Sequence, residues 1–161
     1  MTHAEPDRSV RPPFKDLVAR YKSGYDAVVA ALEGITDQEL DRDREDGEWT
    51  PRQVVHHLAD AEMTSAIRLR RLLAEERPVI YGYDQDTFTE RLHYDRPIEA
   101  SLAAFEGARL STATLLDRLA EADPERHGWH DEMGMYSVRT WLEVYAAHAH
   151  NHAEQIRRSR R

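Results

Sequence analysis

The chain has 161 residues, with 22 basic and 30 acidic side chains and a formal charge of -8 when histidine is neutral. This length is typical of a single domain, 1–161, with its own core, and the negative charge argues against binding nucleic acid through its phosphates. No apolar run approaches the roughly 20 residues that cross a bilayer and residues 1–10 show no signal-peptide pattern, so we expect a cytoplasmic protein without a membrane partner.

The chain has no cysteine and nine histidines. The absence of cysteine excludes disulfides, Cys-ligated zinc, Fe–S clusters and a cysteine nucleophile. Any metal chemistry must therefore use histidine and carboxylate side chains.

Apolar residues recur at helical spacing in four long segments, and no β-branched alternation is visible. Thr50 and Pro51 are a typical N-cap and first helical residue, and Ser137 is a second N-cap. We therefore predict an all-α protein, a four-helix bundle. The predicted helices span residues 12–32, 51–76, 97–122 and 138–158.

The connections between these helices are long. The first is strongly acidic, and Thr36 is placed to cap one short turn within it. Residues 77–95 form the second connection, in which we expect a short helix at 84–91. Residues 123–136 form the third, beginning at Asp123-Pro124.

Five of the histidines fall in two short windows, HHLAD and HAHNH. On a helix, His148 and His152 point together because they are four residues apart, whereas His150 points nearly the opposite way. His57 lies on the apolar face of the second predicted helix, so it should project into the bundle. The spacing favours a divalent metal held by His57, His148 and His152, although a hydrogen-bonded core histidine is the commoner role of a single residue.

The positions of these histidines also predict the topology. His57 is six residues from the start of its helix, and His152 is six from the predicted end of the fourth. The three imidazoles share one level if those helices are antiparallel, which requires an up-down-down-up bundle. The 77–95 connection is long enough to make the crossover that this order needs.

Three imidazoles suit Zn²⁺, Ni²⁺ or Fe²⁺ and leave an open position, which is typical of a catalytic metal. Asp60, Glu62 and Tyr145 are candidate catalytic residues close to the ligands, although ordinary helix-surface roles are equally consistent with their positions. A fourth protein ligand, such as His93 or His130, would instead indicate a non-enzymatic metal-binding protein.

Arginine provides the candidate groups for binding a small-molecule substrate. Near the mouth of the expected cavity, a guanidinium could hold a carboxylate in a bidentate pair. The candidates are Arg52, Arg68 and Arg139.

Three motifs resemble the DinB-like superfamily, specifically its YfiT-like branch. They are WTPRQVVHHLAD at residues 49–60, Tyr83-Asp84, and Tyr145 followed by His148 and His152. The resemblance implies an up-down-down-up bundle, a Ni²⁺ or Zn²⁺ ion held by the same three histidines, and a homodimer. It also implies a metal-dependent hydrolase or a bacillithiol S-transferase.

We expect a metal-dependent transferase acting on a small thiol, because a chain without cysteine must take its thiol from a cosubstrate. Metal-dependent hydrolysis and non-enzymatic metal binding are the alternatives.

Overall fold

The computed structural model describes residues 11–43 and 46–161. Residues 1–10, in which we find no signal-peptide pattern, and residues 44–45 lie outside the described part. Helices dominate what is described, and three short strands accompany them. The helices are α1 (Phe14–Lys22), α2 (Gly24–Leu32), α3 (Asp37–Leu40), α4 (Pro51–Ala74), α5 (Gln85–Arg91), α6 (Glu99–Leu116) and α7 (Val138–Ser159).

The helix N-termini follow the predicted caps. At α4 the Thr50 hydroxyl accepts the Gln53 N–H while the Gln53 side chain accepts the Thr50 N–H, a complete capping box. The Ser137 hydroxyl accepts the Thr140 N–H at α7, and the Asp84 carboxylate caps α5. These local bonds fix where α4 and α7 begin, and hence which of their faces meet.

The four-helix bundle is confirmed, and the contacts between helices define its order. The α1–α2 segment runs parallel to α7. The Arg20 carbonyl contacts His150, and the Ala27 carbonyl, seven residues later, contacts Arg157, which is also seven residues later on α7. The α4 and α6 helices are also parallel, whereas α4 and α7 are antiparallel, as the Trp141 N–H bonded to the Ser65 carbonyl illustrates. This is the predicted up-down-down-up order. Within the described ranges, no helix is both long enough and apolar enough to span a membrane.

The first predicted helix is not continuous, because a break at Ser23 divides it into α1 and α2. The carbonyl of Arg20 faces the Ser23 hydroxyl and His150, and the carbonyl of Tyr21 accepts a bond from the Arg109 guanidinium. Side chains therefore occupy carbonyls that a regular helix would bond to its own N–H groups.

The third predicted helix is shorter than expected. The α6 helix begins at Glu99 and ends at Leu116, and a 3₁₀ turn at Asp123–Glu125 follows. The Asp123 carboxylate accepts the Ala120 N–H, so this side chain caps a turn inside the segment predicted as helix.

The connections form a small sheet that the sequence did not predict. Strand β1 (Val79–Ile80) pairs in parallel with β2 (His127–His130), which pairs antiparallel with β3 (Gly134–Ser137). The prediction of a mainly helical four-helix bundle is therefore confirmed, and the structure adds this small sheet to the connections. The sheet ties the 77–95 crossover to the segment that leads into α7.

The core is divided into two apolar clusters by a buried polar layer. In that layer the Arg109 guanidinium lies 2.7 Å from the Glu62 carboxylate and 3.9 Å from the centre of the Tyr21 ring. The Tyr21 hydroxyl donates to the same carboxylate. Buried charges are tolerated when they are paired in this way, and removing one member would leave an uncompensated charge in the middle of the bundle.

Candidate metal centre

His57, from the first turns of α4, meets His148 and His152, which lie one turn apart near the end of α7. The Nε2 atoms of His57 and His148 are 3.2 Å apart. One ligand atom from each of the three rings can be chosen so that all lie within 4.8 Å of one another. The structure therefore brings together the three predicted ligands, from the two helices predicted to hold them.

The arrangement fits a divalent cation. Two nitrogens bound to one tetrahedral Zn²⁺ at about 2.05 Å lie about 3.3 Å apart, close to the separation observed between His57 and His148. His57 is 2% exposed and the other two rings are half-buried. No carboxylate or fourth histidine of the described residues belongs to the cluster, so a tetrahedral ion held by the three histidines would have one coordination position left for another ligand.

Neighbouring side chains hold two of the three rings. The Gln155 carbonyl oxygen lies 2.7 Å from His152 Nδ1, which places the proton on that nitrogen and leaves Nε2 free to bind a metal. The Trp49 ring packs against His57, with 4.7 Å between ring centres. Neither contact was predicted from the sequence, although Gln155 lies one helical turn after His152.

The environment keeps these imidazoles neutral. Burial, and then proximity to His152, lowers the pKa of His57 to about 3. Burial and the other two rings lower the pKa of His148 well below its usual value, and burial also lowers the pKa of His152. Neutral imidazole is the form that binds metals, so the cluster is in its ligating state at neutral pH.

Four of the remaining histidines of the described chain bear on the predictions, and none of them joins the cluster. His150 points away from the cluster to Ser23 and Arg20, as predicted. His56 is buried and bonded through both ring nitrogens, to the Ser101 hydroxyl and the Arg96 carbonyl. Neither suggested fourth ligand joins the centre: His93 is exposed, and His130 is buried against Tyr136 in the sheet.

A row of polar side chains continues from the metal centre between α4 and α7. The Tyr145 ring lies 5.8 Å from the His148 ring, and the Tyr145 hydroxyl accepts a bond from Arg68 at 3.1 Å. The Asp60 carboxylate, one turn beyond His57, accepts the Tyr94 O–H at 2.6 Å. Asp60, Arg68 and Tyr145 therefore lie on the side of the bundle that holds the metal centre.

Three other candidate residues are occupied elsewhere. Both carboxylate oxygens of Glu62 are bonded in the buried layer, to Arg109 and to Tyr21. Arg52 makes a bidentate pair with Asp41 beside the start of α4. Arg139 lies over the Phe14 ring near the start of α7, more than two turns from His148. Glu62 was expected close to the ligands, and Arg52 and Arg139 near the mouth of the cavity, but the sequence did not predict these partners.

The crossover contributes two tyrosines to this region. The Tyr94 hydroxyl bonds to Asp60, and Tyr83 packs against Phe88, with 4.4 Å between ring centres. Tyr83 belongs to the motif on which the family resemblance was based, but no spacing argument could place Tyr94, because the path of a long connection is set by tertiary contacts.

Three histidines clustered between two antiparallel helices of a four-helix bundle are typical of the metal-binding four-helix proteins. The family model described as the DinB superfamily matches residues 20–156, and the chain belongs to that family.

Its relatives include proteins named for metal-dependent hydrolysis. A "putative metal-dependent hydrolase" of Oceanobacillus iheyensis is 38% identical over 122 residues, covering 76% of this chain and 71% of the relative. The similarly named YfiT of Bacillus subtilis is 36% identical over 129 residues, covering 78% and 72%.

The solved structure of YfiT from Bacillus subtilis has the same fold. It superposes with a TM-score of 0.86 at 30% identity, covering 97% of this chain and 91% of that one. It is described as "a probable metal-dependent hydrolase with an unusual four-helix bundle topology". The family and the YfiT-like branch predicted from the sequence motifs are both confirmed.

Proposed function

We propose that this protein is a metal-dependent S-transferase that joins a small thiol of the bacillithiol type to an electrophilic small molecule. The observation that carries the proposal is the open cluster of His57, His148 and His152, with three neutral imidazoles and no fourth protein ligand among the described residues. Imidazole donors suit Zn²⁺ or Ni²⁺ better than Mg²⁺ or Ca²⁺.

The surroundings of the cluster favour a thiol over water as the nucleophile. To act as a nucleophile, water needs a strong decrease in its pKa and usually a general base. The candidate bases Glu62 and Asp60 are already bonded, to Arg109 and to Tyr94. Burial also raises the pKa of the Tyr145 phenol, so that group is a poor base at neutral pH. A thiol needs less help, because its unperturbed pKa is about 8.5 and a coordinating metal deprotonates it.

Each residue then has a defined task. The three histidines hold the divalent cation, which when bound supplies the Lewis acidity that lowers the pKa of the thiol. Gln155 fixes the tautomer of His152, and Trp49 restricts the ring of His57 and shields it from water. The thiol proton passes to solvent, the sulfur bonds to the electrophilic carbon, and a leaving group departs or the carbon acceptor takes up a proton.

The test is conjugation of bacillithiol to monochlorobimane, followed by fluorescence, with protein loaded with Zn²⁺ or Ni²⁺. We expect a rate well above the uncatalysed reaction, lost in the metal-stripped protein and in His57→Ala. The matched control is His150→Ala, which removes a histidine of α7, the helix that carries His148 and His152, but one that points away from the centre. A rate in the loaded protein no higher than background would refute the proposal.

Hydrolysis is the second candidate, and the printed names of the relatives favour it. In that case the protein would cleave an ester or amide with water and without thiol. Release of p-nitrophenol from p-nitrophenyl acetate, at a rate that does not change when bacillithiol is added and falls in His57→Ala, would support it over transfer.

A further inference from the structure

One cationic side chain beside the metal centre, that of Arg68, has no acidic partner among the described residues. Arg68 donates through Nη1 to the Tyr145 hydroxyl at 3.1 Å and through Nη2 to the Tyr81 carbonyl at 2.5 Å. Its Nε is buried without a hydrogen-bond partner, and no carboxylate of the described chain forms an ion pair with it. Arg68 is only partly buried, but a buried N–H donor without an acceptor is costly, which is a reason to look for a ligand that supplies one.

A second unsatisfied donor belongs to the crossover. Among the described residues, the Tyr83 hydroxyl is buried with no hydrogen-bond partner, while the Tyr83 ring is held against Phe88. Burial, and then proximity to Tyr145, raises the pKa of Tyr83 to about 12, so the phenol retains its proton at neutral pH. Arg68 donates to the carbonyl of Tyr81, two residues before Tyr83, so the guanidinium contacts the same part of the crossover.

Buried donors in native proteins are nearly always bonded, so two of them in one region indicate a missing acceptor. The only positive charge among them is that of Arg68, and the groups lack the several cations that typically surround a phosphate. A carboxylate matches them, since one oxygen could accept from Arg68 Nε and the other from Tyr83.

The location relates this pair to the reaction. Tyr145 contacts both Arg68 and His148, so the guanidinium and the metal centre are separated by about the length of one tyrosine side chain. A small molecule with its reacting atom at the histidines could extend along Tyr145 to Arg68.

We propose that Arg68 and Tyr83 form a subsite that binds a carboxylate of the thiol cosubstrate, and so determine which thiols the enzyme accepts. This inference rests on the proposed function, which identifies the ligand as a thiol. The two groups come from different parts of the fold, α4 and the crossover, so a bound carboxylate would also fix the crossover over the centre. Arg68 thus becomes a specificity-determining residue and Tyr83 its partner.

The experiment is calorimetric binding to the metal-loaded protein, so its readout does not depend on turnover. The probes are ω-mercaptocarboxylates of three to eight carbons and their methyl esters, which keep the thiol and remove the charge. We expect the wild-type protein to bind the acids about tenfold or more tightly than the esters, as is typical of a hydrogen bond to a charged group, with an optimum chain length.

The variants assign this preference to residues. Arg68→Met should abolish it, and Tyr83→Phe should reduce it severalfold, both without loss of bound metal. Arg70→Met is the matched control, since Arg70 lies on the same helix but contacts Ser111 and Thr112 instead. It should leave the preference unchanged.

Other outcomes would overturn the inference. Equal binding of acid and ester, no binding of either, or a preference that survives Arg68→Met would refute the subsite. Competition by inorganic phosphate stronger than by acetate would show that the pair binds phosphate rather than carboxylate. If the acids bind in an Arg68-dependent manner but no conjugation occurs, the subsite stands and the proposed S-transferase activity fails.

Discussion

Lowering the pH should destabilise the metal-free protein, because the fold keeps the histidines of the metal centre neutral. Burial lowers the pKa of His57 to about 3, and it also lowers the pKa values of His148 and His152. In the unfolded chain a histidine has a pKa of about 6.5. Below that pH the unfolded chain binds protons that the folded chain rejects, so stability is complete above pH 6.5 and falls as the pH decreases.

The size of the effect follows from the proton uptake. Between pH 7.5 and 5.5, each histidine that stays neutral in the fold lowers the free energy of unfolding by about 1.4 kcal/mol. His57 alone therefore removes about 1.4 kcal/mol, and His148 and His152 change the stability in the same direction, against the 5–15 kcal/mol that typically stabilises a domain.

The assay is urea unfolding followed by circular dichroism, with a chelator present at both pH values. His57→Phe removes one of the three groups but shares every carboxyl with the wild type, so its loss of stability should be smaller by about 1.4 kcal/mol. Equal losses in the two proteins, or a wild-type stability that does not change over this range, would refute the reasoning.

Three substitutions test the surroundings of the centre. Arg109→Met leaves the Glu62 carboxylate buried without its cation and should cost about 3–5 kcal/mol in urea unfolding, with part of the loss restored when Glu62→Leu is added. Gln155→Leu removes the acceptor for His152 and should weaken Zn²⁺ affinity about 10–100-fold in competition with a chromophoric chelator, with little change in the unfolding of the metal-free protein. Gly24→Ala would place a Cβ atom 2.5 Å from Arg109 Nη2, and should lower the free energy of unfolding by about 1–3 kcal/mol.

The parts of the structure that sequence predicts well are those fixed by nearby residues. Thr50 and Ser137 cap α4 and α7 within one turn, so both helices begin where predicted. The i, i+4 spacing places His148 and His152 on one face of α7, and the apolar pattern of α4 places His57 on its buried face. These two local patterns were enough to identify the three histidines. The topology followed from one further quantity, the length of the 77–95 crossover.

Most of the parts that were missed depend on residues distant in the chain. Strand β1 has two residues and forms through pairing with β2 in a separate connection, whereas β2 and β3, of four residues each, form a short hairpin within the third connection. The break at Ser23 involves Arg109 and His150, which lie 86 and 127 positions further along the chain. Likewise, Glu62 and Asp60 are two residues apart on α4, yet one is bonded in the core and the other to the crossover.

The crossover connects the topology of the bundle to its chemistry. An up-down-down-up order requires a long connection between α4 and α6, and here that connection carries Tyr83 and Tyr94 to the side of α4 that holds His57. A simple up-down-up-down bundle would join those helices by a short turn and leave this side uncovered. It would also place α4 parallel to α7, which would separate His57 from His152. The order of the helices therefore brings His57 to His148 and His152, and it carries Tyr83 and Tyr94 of the crossover to the same side of α4.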